Sequence, residues 1–173
     1  MLFEDETILR FFPPLRHCWS YKDEQAIVPI TGENAKRVLF GVINFRTGHR
    51  AVLRRHKQRQ EDFQAFLRLL RKRYKGKLLA LLLDKNSCHR AKRSQSLAAQ
   101  LSMQLIWLPK QWSELNPMDH LWREMKRNIA SNRQFETIDK QAKHAEKWVL
   151  GLSARTSLRK TGVLSKNFWL RNV

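Results

Sequence analysis

Three aspartates stand where apolar segments begin or end. Asp84 follows the unbroken run Leu78-Leu79-Ala80-Leu81-Leu82-Leu83, Asp5 lies in the opening stretch Leu2 to Leu9, and Asp119 comes three residues after Asn116. Carboxylate oxygens are the donors that hard divalent cations take, so three of them gathered in space would make a cation site. Kept apart, they are solvated loop residues and helix caps. Spacing alone does not choose between these readings, since 34 residues separate Asp84 from Asp119. The opening stretch adds a clue. Glu4, Asp5 and Glu6 are consecutive and account for 3 of only 15 acids in the chain, and adjacent carboxylates repel one another unless a cation is near.

The elements that would position these residues can be read from periodicity. Leu2 to Phe12 reads as a strand, ended by Pro13-Pro14. Arg16 to Pro29, with Trp19, Tyr21 and the Ile27-Val28 pair, suggests a short hairpin, and Thr31 to Asn34 a turn. Arg37 to Phe45 is rich in β-branched and aromatic residues; it turns at Arg46-Thr47-Gly48-His49 and returns as Arg50 to Arg54, an antiparallel pair. Phe63, Phe66, Leu67, Leu70 and Tyr74 fall on one stripe of a helix from about Gln60 to Tyr74. The run ending at Leu83 suits a strand buried on both faces, and ligands in open α/β sheets bind at the carboxyl ends of such strands. A helix over about His89 to Leu101 and a strand over Met103 to Leu108 come next. Asn116-Pro117-Met118-Asp119 opens a helix with a cap, a proline in the first turn and an early acid; Met118, Leu121, Trp122, Met125 and Ile129 form its apolar stripe. Thr137 to about Leu150 is a further amphipathic helix, and Phe168-Trp169-Leu170 is expected to dock back on the body. Three mostly antiparallel strands followed by βαβ units make a mixed α/β sheet with helices on both faces.

Composition sets the partners. The chain has 173 residues, enough for one domain with a real core. Its 34 basic residues against 15 acids give a net charge of +19, which predicts a polyanionic partner rather than a fold. Nucleic acid is the first candidate, since lysine and arginine neutralise phosphates with release of counterions; a membrane surface is the second. Between Lys36 and Lys77 there are 14 Lys/Arg and 2 acids. Part of that is a solvated helix face, but the run Arg54, Arg55, Lys57 and Arg59 is denser than solubility needs. Together with Lys85, Arg90 and Lys92 it forms the candidate DNA-binding set. No apolar run approaches the ~20 residues of a transmembrane helix, and no signal-peptide pattern opens the chain. A cytoplasmic, DNA-associated protein is the expectation. Cys18 and Cys88 are expected to be reduced, and lying 70 positions apart they show no zinc-ligand spacing.

Three blocks carry a resemblance. Phe3-Glu4-Asp5-Glu6-Thr7, the block Leu83-Asp84-Lys85-Asn86 with His89, and the block from Leu108-Pro109 through Leu115-Asn116-Pro117-Met118-Asp119-His120-Leu121-Trp122 resemble the DDE endonuclease domains of insertion-sequence transposases related to mariner. The resemblance covers residues 2 to 130, and the Leu-Asn-Pro-x-acid-x-x-Trp block is its most specific part. It implies a ribonuclease-H-like catalytic domain over residues 1 to 135, with residues 136 to 173 as a helical extension packed on it. It further implies that Asp5, Asp84 and Asp119 are catalytic and hold two Mg²⁺ or Mn²⁺ ions. Two such ions about 3.5–4 Å apart clamp the attacking and leaving oxygens of an in-line displacement at phosphorus. A water nucleophile nicks DNA and a DNA 3′-hydroxyl joins strands. The partners so implied are double-stranded DNA, at transposon ends and target, and a second copy of the chain on that DNA.

This sequence departs from the family pattern in three places. Asp119 stands where glutamate is usual, although mariner itself resembles this chain there. Trp112-Ser113 replaces the usual Ser-Pro. The chain begins almost at the first catalytic strand, so the family's N-terminal helix-turn-helix is expected to be absent here or encoded as a separate chain. Glu6 is an alternative to Asp5, and Glu124 reads as a partner of nearby bases. His89 and His120 each neighbour an aspartate, either to orient water or phosphate or as structural histidines. Two other functions stay open: a truncated, inactive remnant that binds nucleic acid through charge alone, and a host ribonuclease-H-like nuclease that prefers RNA–DNA hybrids.

Overall fold

The computed structural model describes residues 1–109 and 113–170. It contains one five-stranded sheet formed by β1 (Leu2–Arg10), β2 (Lys36–Asn44), β3 (Arg50–Arg55), β4 (Leu79–Leu83) and β5 (Met103–Trp107), in the order β3-β2-β1-β4-β5. The first three strands are antiparallel neighbours, whereas β4 joins β1, and β5 joins β4, in parallel. This is the mixed sheet expected from the sequence, with β1 in the centre.

Helices cover both faces. α1 (Gln60–Arg73), α2 (Ser87–Arg90) and α3 (Lys92–Gln100) lie on one side, where Phe63, Phe66, Leu67 and Leu70 pack against Leu2, Val38, Phe40, Leu81 and Leu83. On the other side lie α4 (Pro117–Ile129), α5 (Ile138–Gly151) and α6 (Ala154–Lys160). There Met118, Leu121, Trp122, Met125 and Ile129 meet Phe3, Leu9, Leu39 and Ile43, with Ile138, Ala142, Ala145 and Val149 beside them. Each fully buried side chain of this size contributes roughly 1.5–3 kcal/mol, so the two apolar layers fix which strand faces point where. The α1, α4 and α5 stripes are the ones the periodicity predicts. Phe168 and Trp169 return to the body, their rings 6.2 and 6.0 Å from that of Phe3.

Several expectations change. β1 ends at Arg10, and residues 12 to 35 contain no strand. The expected hairpin is replaced by an extended excursion in which Trp19 is fully exposed and Ile27 is 85 % exposed. Its apolar residues meet no facing layer, and without burial a short hairpin is not stable. The helix expected over His89 to Leu101 is two helices, broken at Ala91, whose ψ of 130° lies outside the helical region. α6, after Gly151, was not anticipated. It is docked by the buried Arg50, whose guanidinium donates to Val149 O (3.0 Å), Leu152 O (2.5 Å) and Ser157 Oγ (2.5 Å). Among the described residues no helix is long and apolar enough to cross a membrane.

Candidate active site

Strand alternation sorts the three opening acids before any chemistry is considered. Successive side chains of a strand point to opposite faces, so Asp5 looks one way and Glu4 and Glu6 the other. Asp5 faces the α4 layer. Its antiparallel register partner is Gly41, and a Cβ built there would stand 2.5 Å from Trp122 Cζ2 and 2.6 Å from Met118 Cε. The bare glycine therefore lets α4 press onto β1 and β2 beside Asp5.

A second device sets the height of α4 on the sheet. Asn116 is buried. Its Oδ1 accepts from Met118 N (3.0 Å), capping the helix, and its Nδ2 donates to Glu4 O (2.7 Å), tying the helix start to the strand that carries Asp5. Asp119, in the first turn, is thereby brought to Asp5. Asp84 arrives from the other side. The parallel pairs Leu2↔Leu81 and Phe3↔Leu82 bring the end of β4 level with the middle of β1.

The electrostatics report this crowding. The Asp5 carboxyl is pushed up to about 8, first by burial, then by the charges of Glu6, Asp119 and Asp84. Asp84 behaves oppositely. It accepts from Asn86 N (2.9 Å), and its Oδ1 lies 2.9 Å from His89 Nδ1; the histidine bond foremost holds its carboxyl below the usual range. Asp119 is ion-paired to Arg123 at 3.0 Å. Lys126, two turns along the same helix, feels both Asp119 and Asp5, although burial is the larger influence and lowers its ammonium.

The remaining predicted residues fall in different places. Glu6 does not share the Asp5 pocket; its Oε1 lies 2.9 Å from His89 Nε2 on the opposite face. His89 is fully buried and bridges Glu6 and Asp84. Burial pushes its imidazole down, but Glu4, Asp84, Cys88 and Glu6 outweigh that and hold it far above its ordinary value. His120 contacts Glu114 O (3.3 Å) and Arg123 instead. Glu124 pairs with Lys160 (2.9 Å) and Arg127 (3.0 Å). Of the candidate DNA-binding set, Arg54 is bonded to Glu146 and Arg55 pairs with Asp62, on the edge strand two positions from β1. Lys57, Arg59 and Lys92 are exposed. Lys85 and Arg90 line, with Gln95 and Trp107, an open cavity of about 330 Å³ next to Asp84. Trp112 lies outside the described residues.

Sequence reasoning missed Glu4, Lys126 and the second bond of Asn116. Glu4 showed only as part of the acidic triplet, and Lys126 only in its spacing, seven residues from Asp119 and so on nearly the same helical face.

A family model described as DDE superfamily endonuclease matches residues 1–141. An uncharacterised 39 kDa protein of insertion element IS630 from Shigella sonnei is 24 % identical over 140 residues, 80 % of this chain and 41 % of that protein. Among solved structures, the Mos1 transposase paired-end complex with left transposon end aligns at a TM-score of 0.73 with 17 % identity, over 96 % of this chain and 52 % of that one. The mariner Mos1 paired-end complex with Mg gives 0.70, 16 %, 92 % and 50 %, and the Mos1 catalytic domain 0.65, 15 %, 92 % and 74 %. At such identities these likenesses establish a shared ribonuclease-H-like fold. The chain spans about half the length of the longer relatives it matches.

Proposed function

Since the chain belongs to the DDE superfamily endonuclease family, we propose that it is the catalytic domain of an insertion-sequence transposase that cleaves DNA and joins strands with Mg²⁺ or Mn²⁺. The observation that carries this reading is the convergence on Asp5. A half-buried carboxyl pushed to about 8, first by burial and then by neighbouring acids, is a charge burden that divalent cations would relieve. The donors are all carboxylate oxygens, the set such hard ions prefer. Asp5, Asp84 and Asp119 would hold them. When bound, a pair of such ions supplies Lewis-acid activation and charge neutralisation for in-line displacement at phosphorus.

The chain's own residues do the rest. His89 Nδ1 fixes one oxygen of Asp84 and leaves the other free to turn toward the pocket. Arg123, paired with Asp119 in the first turn of α4, would yield that carboxylate to a bound cation. The β4–β5 cavity, with Lys85, Arg90 and the ring of Trp107, suits a phosphodiester and an adjoining base. The net charge of +19 favours duplex DNA as the partner. Double-stranded transposon ends and target, and a second copy of the chain on the DNA, complete the proposal. The Mos1 complexes with transposon ends and with Mg support it by analogy of fold.

The test is nicking of supercoiled plasmid in Mg²⁺ or Mn²⁺, with Asp84→Asn as the comparison. Divalent-dependent nicking lost in the variant supports the proposal. A folded wild-type chain that binds DNA but never cleaves it in either metal overturns it in favour of an inert binder.

A further inference from the structure

On the face of β1 away from Asp5 lies a second cluster that the cleavage chemistry does not use. Glu6, Cys88 and His89 bring their donor atoms within 4.8 Å of one another. Cys88 Sγ is 3.4 Å from Glu6 Oε1, and His89 Nε2 is 2.9 Å from the same oxygen. Glu4 borders the cluster: its side chain is entirely buried, and its Oε2 stands 3.4 Å from His89 Nε2. Neither Glu4 oxygen has a hydrogen-bond partner. A buried carboxyl left in that condition is costly whether charged or protonated.

We infer that Glu6, Cys88 and His89, with Glu4 bordering them, form a binding site for a single zinc-class transition-metal ion, distinct from the three-aspartate pocket. The argument is geometric. Zinc takes N, O and S donors at roughly 2.0–2.3 Å, so the corners of its tetrahedron lie about 3.2–3.8 Å apart. The Glu6 contacts to His89 and Cys88 are 2.9 and 3.4 Å and the three donor atoms all lie within 4.8 Å of one another, so a modest shift of the short helix would set them around one ion. A cation there would take the place of the His89 Nε2 proton and set a positive charge beside Glu4, whose oxygens have no hydrogen bond. The outer contacts fit as well. Metal-bound histidines usually donate their other ring nitrogen to a carboxylate, and His89 Nδ1 already faces Asp84 Oδ1 at 2.9 Å. Phe63 packs on the imidazole with ring centroids 4.5 Å apart, keeping it oriented and dry. Cys88 and His89 are adjacent on the four-residue α2, so loading requires only that this short turn lift.

Such an ion would be held by Glu6, Cys88 and His89 and would become a closed structural site if the Glu4 carboxylate swings in as the fourth donor. It would clamp α2 to β1 and, through His89, steady Asp84. The inference does not depend on the three-aspartate reading, and its readout uses no DNA.

Cobalt(II) is the probe. The Cys18→Ser chain retains one thiol, and Cys18 is exposed and outside any element, so this variant folds as the wild type does. We expect one equivalent of Co²⁺ to give a thiolate-to-cobalt charge-transfer band and the intense visible bands of four-coordinate cobalt. One equivalent of Zn²⁺ should abolish both, and a large excess of Mg²⁺ should leave them unchanged. In the same background His89→Gln and Glu4→Gln should weaken or remove the bands. The inference fails if the Cys18→Ser chain shows no charge-transfer band. It fails equally if that band persists at full intensity and affinity in a folded His89→Gln variant.

Discussion

Gly41 stands directly across the antiparallel β1–β2 ladder from Asp5, and its missing side chain is the space that Trp122 and Met118 of α4 occupy. The metal-site candidate Asp119 is on that helix, so the closeness of Asp5 and Asp119 depends on a residue that touches neither carboxylate. Gly41→Ala should therefore destabilise the fold by about 1–3 kcal/mol through overpacking and lower divalent-dependent nicking more than the stability loss explains. Gly151→Ala, where a Cβ meets nothing, should change stability by less than about 0.5 kcal/mol. Urea denaturation and plasmid nicking of the two variants check this; equal behaviour would contradict it.

Asn116→Asp keeps an oxygen for the Met118 N–H but replaces the donor to Glu4 O with a second acceptor. Loss of that buried bond should cost about 1–3 kcal/mol. With the helix start no longer tied to β1, nicking should also need more Mn²⁺. An unchanged metal requirement would show that the tether does not position Asp119.

Asp5 makes the metal-free protein sensitive to pH in a definite direction. Its folded carboxyl titrates at about 8, whereas in the unfolded chain it titrates near roughly 3.9. Between those values the folded form keeps a proton that the unfolded form has lost. Its contribution to stability is thus full below about pH 4 and is lost as pH rises through about 8. Thermal melts in chelator should fall across that window for the wild type and more gently for Asp5→Asn. Parallel profiles for the two proteins would rule the effect out.

Arg123 competes with any cation for Asp119, which it holds at 3.0 Å on a partly exposed surface. Such pairs contribute about 0.2–1 kcal/mol. Arg123→Gln should accordingly lower the Mg²⁺ concentration for half-maximal nicking by up to about fivefold. A raised requirement would mean that the guanidinium organises the site instead of blocking it.

Sequence alone determined the five strands and α1, α4 and α5, in their order. The uninterrupted apolar run before Asp84, the stripe from Met118 to Ile129 and the cap at Asn116 are local patterns, written within one or two turns of chain, and they predicted β4 and α4 together with the acids at their ends. What sequence could not reach depends on which face of β1 meets which helix. Only the tertiary structure separated Asp5 from Glu6, since alternation fixes that they diverge but not what waits on either side. It alone set the side chain of Glu4 beside His89, 85 positions away, and broke the helix at Ala91 so that Cys88 and His89 turn toward β1. The physical reason is that contacts between distant segments follow from packing two apolar layers against one sheet, and no short window of residues encodes the register in which those layers meet.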